Sequence, residues 1–279
     1  PDSVIRIGDQ AFFGCEALTS VHIPDGVTEI GEEAFFGCYA LSSIEIPASV
    51  KKIGKHAFPS NTAIRNKSSV MIPPISDFDI EHGTVKRYLG KSNSVVIPTG
   101  VTSIGNNAFS RCNTLTAIVI PDGITSIGEK AFEFCKSLTS IKIPNGVIRI
   151  GNDAFACCFS LPSIEIPDSV TSIGNDAFAC CYALASIEIP DGVTSIGEGT
   201  FACCKSLTSI EIPDSVASIG NEAFTDCYSL TSIEIPDSVT SIGNYAFWKC
   251  FSLKSVKIPK SVTHIGEDAF LSDIKIIRV

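Results

Sequence analysis

The stretch Pro167-Asp-Ser-Val-Thr-Ser-Ile-Gly-Asn-Asp-Ala-Phe-Ala-Cys-Cys-Tyr-Ala-Leu-Ala-Ser-Ile-Glu-Ile189 decides the fold of this chain. A fixed 23-residue period is typical of a solenoid, in which each unit buries its apolar side against its neighbours. We number the repeat positions 1 to 23 from the proline. The pattern predicts architecture more strongly than activity, because repeat scaffolds serve many functions. Close variants of the stretch begin at Pro1, Pro24, Pro98, Pro121, Pro144, Pro190, Pro213, Pro236 and Pro259.

Each repeat contains two segments with the character of short strands. Positions 18 to 23 read Leu-x-x-Ile-x-Ile, and this alternation predicts a strand with Ile187 and Ile189 inward and Glu188 outward. Pro190 then ends the strand, since proline cannot donate to a ladder. The residues from 170 to 173, Val-Thr-Ser-Ile, predict a second brief extended piece.

The middle of the repeat predicts turns. A glycine stands at position 8 in every regular unit, Gly174 among them, which indicates a positive φ or a close approach between successive units. Residues 175–181 are too few for a stable α-helix, so we expect one helical or 3₁₀ turn there.

The twelve cysteines follow the repeat rather than a disulfide pattern. We interpret position 15 as a buried ladder of free thiols, because free cysteine packs as a small hydrophobe and equivalent side chains of parallel units point the same way. Three more cysteines occupy position 14 of consecutive units, where a straight line suits a tetrahedral metal badly. Packing is the simpler interpretation, and a metal or redox role stays open. The position-15 residues are Cys15, Cys38, Cys112, Cys135, Cys158, Cys181, Cys204, Cys227 and Cys250, and the position-14 residues are Cys157, Cys180 and Cys203.

The form Ile-Pro-Asp-Ser-Val-Thr-Ser-Ile-Gly-x-x-Ala-Phe-x-x-Cys-x-x-Leu, followed by Leu-x-x-Ile-x-Ile-Pro, resembles the BspA-like class of leucine-rich repeats over nearly the whole chain. The resemblance implies a leucine-rich repeat solenoid: a right-handed curved array of about twelve coils of short parallel strands with short helical or 3₁₀ turns, mainly β. It also implies a cell-surface or secreted protein used in adhesion and protein binding, with an intracellular location as the alternative.

The sequence predicts one continuous array over residues 1–279, irregular at about 59–97, where residues 78–90 read as a β-hairpin insert. Because the chain opens on position 1 of a repeat, we interpret it as a piece of a longer protein. Its net charge of −9 argues against a nucleic-acid binder, and no apolar run is long enough for a transmembrane helix.

Position 22 faces outward between two inward residues and supplies the predicted binding surface on the concave face. We expect an apolar strip followed by an acidic strip, and therefore a protein partner that is basic opposite the acidic part. The apolar strip is Met71, Val96 and Val119, the acidic strip is Glu165, Glu188, Glu211 and Glu234, and a secondary patch is Lys86, Arg87 and Tyr88.

The function that these patterns favour is a noncatalytic protein-binding or adhesion module. The alternatives are a structural spacer and a hydroxyl ladder for ice or glycan, based on Thr171-Ser172 and its equivalents. No phosphate loop, metalloprotease motif or nucleophile elbow is present, and the four histidines fall in unrelated repeat positions. The sequence therefore predicts no enzyme, no cofactor and no metal site.

Overall fold

The computed structural model describes residues 3–47, 49–50, 52–59, 61–66, 71–72, 77–98 and 100–279, with no account of the side chains of residues 63, 65, 66, 71 and 72. The chain divides into two compact units, Pro1–Val101 and Thr102–Val279. Both are built from 23-residue coils, and each is described by itself.

The strands are short and recur at fixed repeat positions. In the described residues of the first unit they are β1 (Arg6–Ile7), β2 (Glu29–Ile30), β3 (Ser43–Ile46), β4 (Lys52–Ile53), β5 (Ala63–Asn66), β6 (Met71–Ile72), β7 (Phe78–Glu81), β8 (Thr84–Tyr88) and β9 (Ser94–Val96). In the second unit, residues 102–279, they are β10 (Ser103–Ile104), β11 (Ala117–Val119), β12 (Ser126–Ile127), β13 (Ser140–Lys142), β14 (Arg149–Ile150), β15 (Ser163–Ile164), β16 (Ser172–Ile173), β17 (Ser186–Ile187), β18 (Ser195–Ile196), β19 (Ser209–Ile210), β20 (Ser218–Ile219), β21 (Ser232–Ile233), β22 (Ser241–Ile242), β23 (Ser255–Ile258), β24 (His264–Ile265) and β25 (Lys275–Arg278).

Parallel strand pairs recur along the second unit in two series, one at positions 6 and 7, interrupted between β16 and β18, and one at positions 20 to 22, interrupted between β17 and β19. Their register equals the repeat, since Ile127 pairs with Ile150 and Ile164 pairs with Ile187. The predicted solenoid of short parallel strands is therefore confirmed. A register of one full repeat places every side chain over its equivalent in the next coil.

The core is a stack of aromatic rings at position 12. Phe178 is completely buried, and its ring lies 5.4 Å from that of Phe155 and 5.7 Å from that of Phe201. The rings are nearly parallel, at angles of 2° and 4°. Inward isoleucines such as Ile187 and Ile189 close the core from the strand side, as the alternation predicts.

Most of the position-8 glycines are required by close approach and not by a positive φ, whereas a Cβ on Gly8 would meet no atom within 4 Å. A Cβ on Gly174 would lie 2.5 Å from the backbone nitrogen of Asn152 in the preceding coil. Positive φ angles fall instead at positions 10 and 14, for example 54° at Asp176 and 59° at Cys180. Of the two explanations that the sequence leaves open, the contact between coils is the correct one.

Residues 175–180 form consecutive turns, and within residues 102–279 no helix is present. The expected helical turn is absent because residues with positive φ interrupt it. Its amides instead bond to the following coil: Asp176 N donates to Glu198 O at 2.8 Å, and Cys180 N donates to Ala202 O at 2.7 Å. The turn side thus carries a third ladder between coils.

In the first unit the regular pattern gives way to antiparallel pairs. Strand β6 pairs antiparallel with β5, which places Met71 opposite Arg65. Strands β7 and β8 form a hairpin whose turn contains His82 and Gly83, both with positive φ. The rest of the strand expected at 69–73 lies outside the described residues.

Candidate functional site

The outward side chains at position 22 form one exposed column in the second unit. The strand alternation buries Ile187 and leaves Glu188 exposed. Parallel register places Lys142 beside Glu165, and Glu234 beside Lys257. We call the four glutamates between these lysines the acidic column: Glu165, Glu188, Glu211 and Glu234.

A second set of exposed carboxylates follows the acidic column three residues later along the chain. It consists of the position-2 aspartates, which lie in turns just after each strand. Within residues 102–279, all of which the structure describes, the ion pairs involve Lys130 and Lys249 and none of these eight carboxylates. The face therefore keeps a net negative charge, and like charges on neighbouring strands disfavour folding mildly. The four aspartates are Asp168, Asp191, Asp214 and Asp237.

Small polar side chains lie beside the acidic column. The position-20 serines of the same strands are exposed, Ser186 and Ser209 among them. A hydroxymethyl group is too short to cover a neighbouring glutamate. The carboxylates are therefore accessible to a partner across the strand face.

The structure describes the apolar strip that the sequence predicts only in part. The side chain of Met71 is outside the described ones, Val96 belongs to the first unit and is half-buried, and Val119 belongs to the second unit and is 47 % exposed. Val119 is next to Lys142 in register. The strip as a whole stays a prediction.

The secondary patch is smaller than expected, because Tyr88 is a core residue of the hairpin. Its ring lies 5.3 Å from that of Phe78, and its hydroxyl oxygen accepts a hydrogen bond from Ser92 N at 3.1 Å. Tyr88 is 7 % exposed. Lys86 and Arg87 are both exposed, because the register shift between Asp79 and Ile80 leaves Lys86 without a partner residue and interrupts the strand alternation. Lys86 Nζ lies 3.6 Å from the Glu81 carboxylate.

All twelve cysteines lie in the described part of the chain and are free thiols. Seven of the nine at position 15 are buried, whereas Cys15 is exposed and Cys112 is half-buried. Burial raises the pKa of the buried thiols, Cys181 for example. The Cys181 Sγ donates to Phe155 O at 3.2 Å, which shows that this ladder is held by hydrogen bonds as well as by packing.

A column of aromatic and cationic side chains at position 16 was not anticipated from the sequence. The Lys205 ammonium lies 4.2 Å from the ring centre of Tyr182 and 5.7 Å from that of Tyr228. Phe159 stacks on Tyr182 at 4.7 Å. The available signal was the residue type itself, since six consecutive repeats carry an aromatic residue or lysine there: Lys136, Phe159, Tyr182, Lys205, Tyr228 and Phe251.

The threonine hydroxyls of the ladder at position 5 form hydrogen bonds within the solenoid. Thr125 Oγ1 donates to Thr102 O at 3.2 Å, and Thr240 Oγ1 donates to Ala217 O at 3.2 Å. Each such hydroxyl uses its single proton on the preceding coil. These side chains therefore offer acceptors but few donors to ice or glycan.

Among the described residues, no group of three histidine, cysteine or acidic side chains converges to hold a metal ion. The same part of the chain contains no helix with the length and apolar character needed to cross a bilayer.

A parallel solenoid with 23-residue coils, stacked phenylalanines and an outward strand face defines the class of leucine-rich repeat proteins. Within that class, the chain belongs to the family described as the BspA type leucine rich repeat region. Its family model matches six copies, over residues 1–73, 87–197 and 148–277.

Solved structures of bacterial proteins resemble this chain. A leucine-rich repeat protein from Bacteroides ovatus is 30 % identical with a TM-score of 0.62, over 100 % of this chain and 76 % of that one. A leucine-rich repeat protein from T. pallidum is 28 % identical with a TM-score of 0.51, over 72 % of this chain and 88 % of that one. A leucine rich cell surface protein from Faecalibacterium prausnitzii is 33 % identical with a TM-score of 0.43, over 97 % of this chain and 84 % of that one. No curated protein matches the sequence.

Proposed function

We propose that this chain is a noncatalytic protein-binding or adhesion module of a cell-surface or secreted protein, and that its acidic column receives a basic partner. The observation that carries the proposal is the set of eight exposed carboxylates without ion pairs on one side of the second unit. A basic surface would neutralise them, whereas in the free protein Lys142 and Lys257 lie beside only the two end glutamates of the acidic column. Membership of the BspA-type family supports the module.

The acidic column would act chiefly on the rate of encounter. Exposed charges steer a partner of opposite sign and reject partners of like sign, while affinity comes mostly from apolar and well-packed contacts. The effective range is short, since the Debye length is about 8 Å at physiological ionic strength. Association should therefore be fast at low salt and slower as salt rises.

The test compares two variants that lose the same charge from different sides of the coils. One replaces Glu165, Glu188, Glu211 and Glu234 by Gln. The matched control replaces four exposed glutamates of the turn side by Gln, namely Glu129, Glu198, Glu222 and Glu267. Both variants and the wild type are immobilised and exposed to purified extracellular proteins of basic and of acidic character.

We expect saturable binding of a basic protein, a slower association rate for the acidic-column variant, and a smaller change for the control. Equal association rates for wild type and the acidic-column variant would place the contact elsewhere. Absence of saturable binding by any protein would favour the structural spacer.

A further inference from the structure

Three half-buried thiols stand in line on the turn side of the second unit, at position 14 of successive coils. The backbone holds each at a fixed height, because its amide donates to the following coil at 2.7 Å in all three cases, to Ala179 O, Ala202 O and Thr225 O in turn. All three residues have φ near 60°, so their side chains project from equivalent left-handed positions. We call them the thiol row: Cys157, Cys180 and Cys203.

The middle thiol is the neighbour of both others, since the three occupy the same position of successive coils. The proximity of Cys180 adds to the effect of burial in raising the pKa of Cys157 and of Cys203. Beyond the row, the Cys203 Sγ lies 3.9 Å from Asp226 Oδ2. The geometry is thus a chain of neighbours in which Cys180 is shared.

The parallel side chains of this row suit a metal bridge better than a disulfide. Coils of a parallel ladder are about 4.8 Å apart, a Cα spacing that disulfides allow. Equivalent side chains that point the same way, however, keep their sulfurs about as far apart as the coils, well beyond the roughly 2.05 Å of a sulfur–sulfur bond. Two metal–sulfur bonds of about 2.3 Å placed end to end span about 4.6 Å. A single ion between two adjacent thiols therefore fits without moving a coil.

The ligand count selects the kind of ion. Among the described residues, no group of three histidine, cysteine or acidic side chains could hold a metal ion. Two adjacent thiols therefore cannot supply the four ligands that zinc takes. Thiolate donors favour soft cations such as Cu(I). A soft monovalent ion accepts two ligands in line.

We propose that the thiol row binds a soft monovalent cation of the Cu(I) class between two adjacent thiolates, with Cys180 as the shared ligand. On binding, two thiols release two protons and the cation forms two metal–sulfur bonds, which leaves the site with a net charge of −1. No electron is transferred. The positive charge of Lys205 favours the Cys203 thiolate and partly offsets the negative charge of the site.

The shared ligand gives a test that does not depend on the number of thiols alone. Replacing Cys157 or Cys203 singly leaves one adjacent pair, whereas replacing Cys180 leaves two thiols about 9.6 Å apart, too far for one ion. The variants are Cys157→Ser, Cys203→Ser and Cys180→Ser. Cys180→Gly is added because glycine tolerates a φ of 59°, and Cys112→Ser serves as control for a half-buried thiol outside the row.

Reduced protein is titrated without oxygen with Cu(I) held by a chromogenic competitor, and native mass spectrometry counts the ions per chain. We expect one tightly held ion in the wild type, in the Cys112 control and in both end variants. In both Cys180 variants the affinity should fall by at least about tenfold. Circular dichroism of each variant checks that the coils remain folded.

Two outcomes would overturn the proposal: tight binding that survives in Cys180→Gly, or equal losses in all the single variants of the row. An ion found only in a dimer would likewise show a ligand set from two chains instead of the thiol row.

Discussion

The Sγ of Cys181 donates a hydrogen bond to the main-chain oxygen of Phe155, 3.2 Å away in the preceding coil. That oxygen also accepts from the amide of Cys158 at 3.2 Å, so one carbonyl ties together two coils. The same bond is formed by Cys204 and Cys227 with their own preceding phenylalanines. Position 15 thus requires a side chain that is small and apolar but still has a proton to donate.

Replacing Cys181 by Ala should therefore destabilise the second unit. The buried Phe155 oxygen loses one of its two donors, and a small cavity opens, which together cost about 1–3 kcal/mol. Serine keeps a donor but buries a more polar group, so Cys181→Ser should not restore full stability. Urea unfolding of both variants measures the change, and Ser186→Ala, a substitution at an exposed position, is the control. If Cys181→Ala were as stable as the wild type, the hydrogen bond from the Cys181 thiol would contribute nothing to stability.

Thiol labelling should separate the two cysteine positions. Position-15 thiols such as Cys181 and Cys204 are buried with raised pKa values, so we expect them to resist iodoacetamide until the protein unfolds. Cys203 is half-buried, and burial raises its pKa to about 11. Because alkylation needs the thiolate, its labelling in the folded protein should be slow at pH 8 and accelerate up to about pH 11. Peptide mapping assigns each site, and rapid labelling of Cys181 in the native state would contradict the buried ladder.

The same raised pKa values predict a loss of stability in alkali. A thiol whose pKa is raised in the folded state holds its proton there, while in the unfolded chain it ionises above a pKa of about 8.5–9. The unfolded state therefore binds fewer protons, and stability is fully present below that pH and falls as pH rises above it. Each buried thiol contributes up to about 1.4 kcal/mol per pH unit. Urea unfolding from pH 7 to 10.5 measures the slope, which should be smaller in a variant with both Cys181 and Cys204 replaced by Ala.

Much of this architecture follows from the sequence, because the side chains that determine it repeat. Ile187, Ile189 and Phe178 are buried as the period and the alternation require. The positive φ at Asp176 and Cys180 could not be inferred so directly, since neither residue type demands it. Only occasional glycines at the equivalent positions, Gly14, Gly37 and Gly199, indicate it.

The candidate site is less predictable than the fold. Exposure of the acidic column follows from strand alternation. The burial of Tyr88 does not follow, because it depends on the contact with Phe78 across an irregular hairpin whose register shifts between Asp79 and Ile80. The hydrogen bonds of the Asn side chains could not be predicted from the sequence either. For example, Asn175 Oδ1 accepts a hydrogen bond from Glu198 N in the next coil at 3.1 Å.

The close approach at position 8 predicts a large effect of Gly174→Val. The Cβ of the valine would lie 2.5–2.6 Å from backbone atoms of Gly151 and Asn152, and the coils can relieve this overlap only by moving apart. We expect the free energy of unfolding to fall by at least about 3 kcal/mol, at the upper end for overpacking. Asn175→Ala is an unsuitable neutral comparison because it breaks the bond to Glu198, and Ser186→Ala takes its place. Equal midpoints of thermal unfolding for Gly174→Val and Ser186→Ala would show that the coils have room at position 8.

The acidic column makes a prediction about stability that is independent of any partner. Changing Glu165, Glu188, Glu211 and Glu234 to Gln keeps the shape of the face and removes repulsion between neighbouring strands. The variant should fold normally and melt at the same temperature as the wild type or slightly higher. The difference should shrink as salt is added, because salt already screens exposed charges. The turn-side control also relieves some repulsion, because Glu198 and Glu222 both contribute to raising the pKa of Asp176. Its four glutamates are not in four successive coils, and its Glu129 lies 3.7 Å from Lys130, so it should gain less. A lower melting temperature for the acidic-column variant at every salt concentration would mean that these glutamates stabilise the coils, and their retention would then need no partner to explain it.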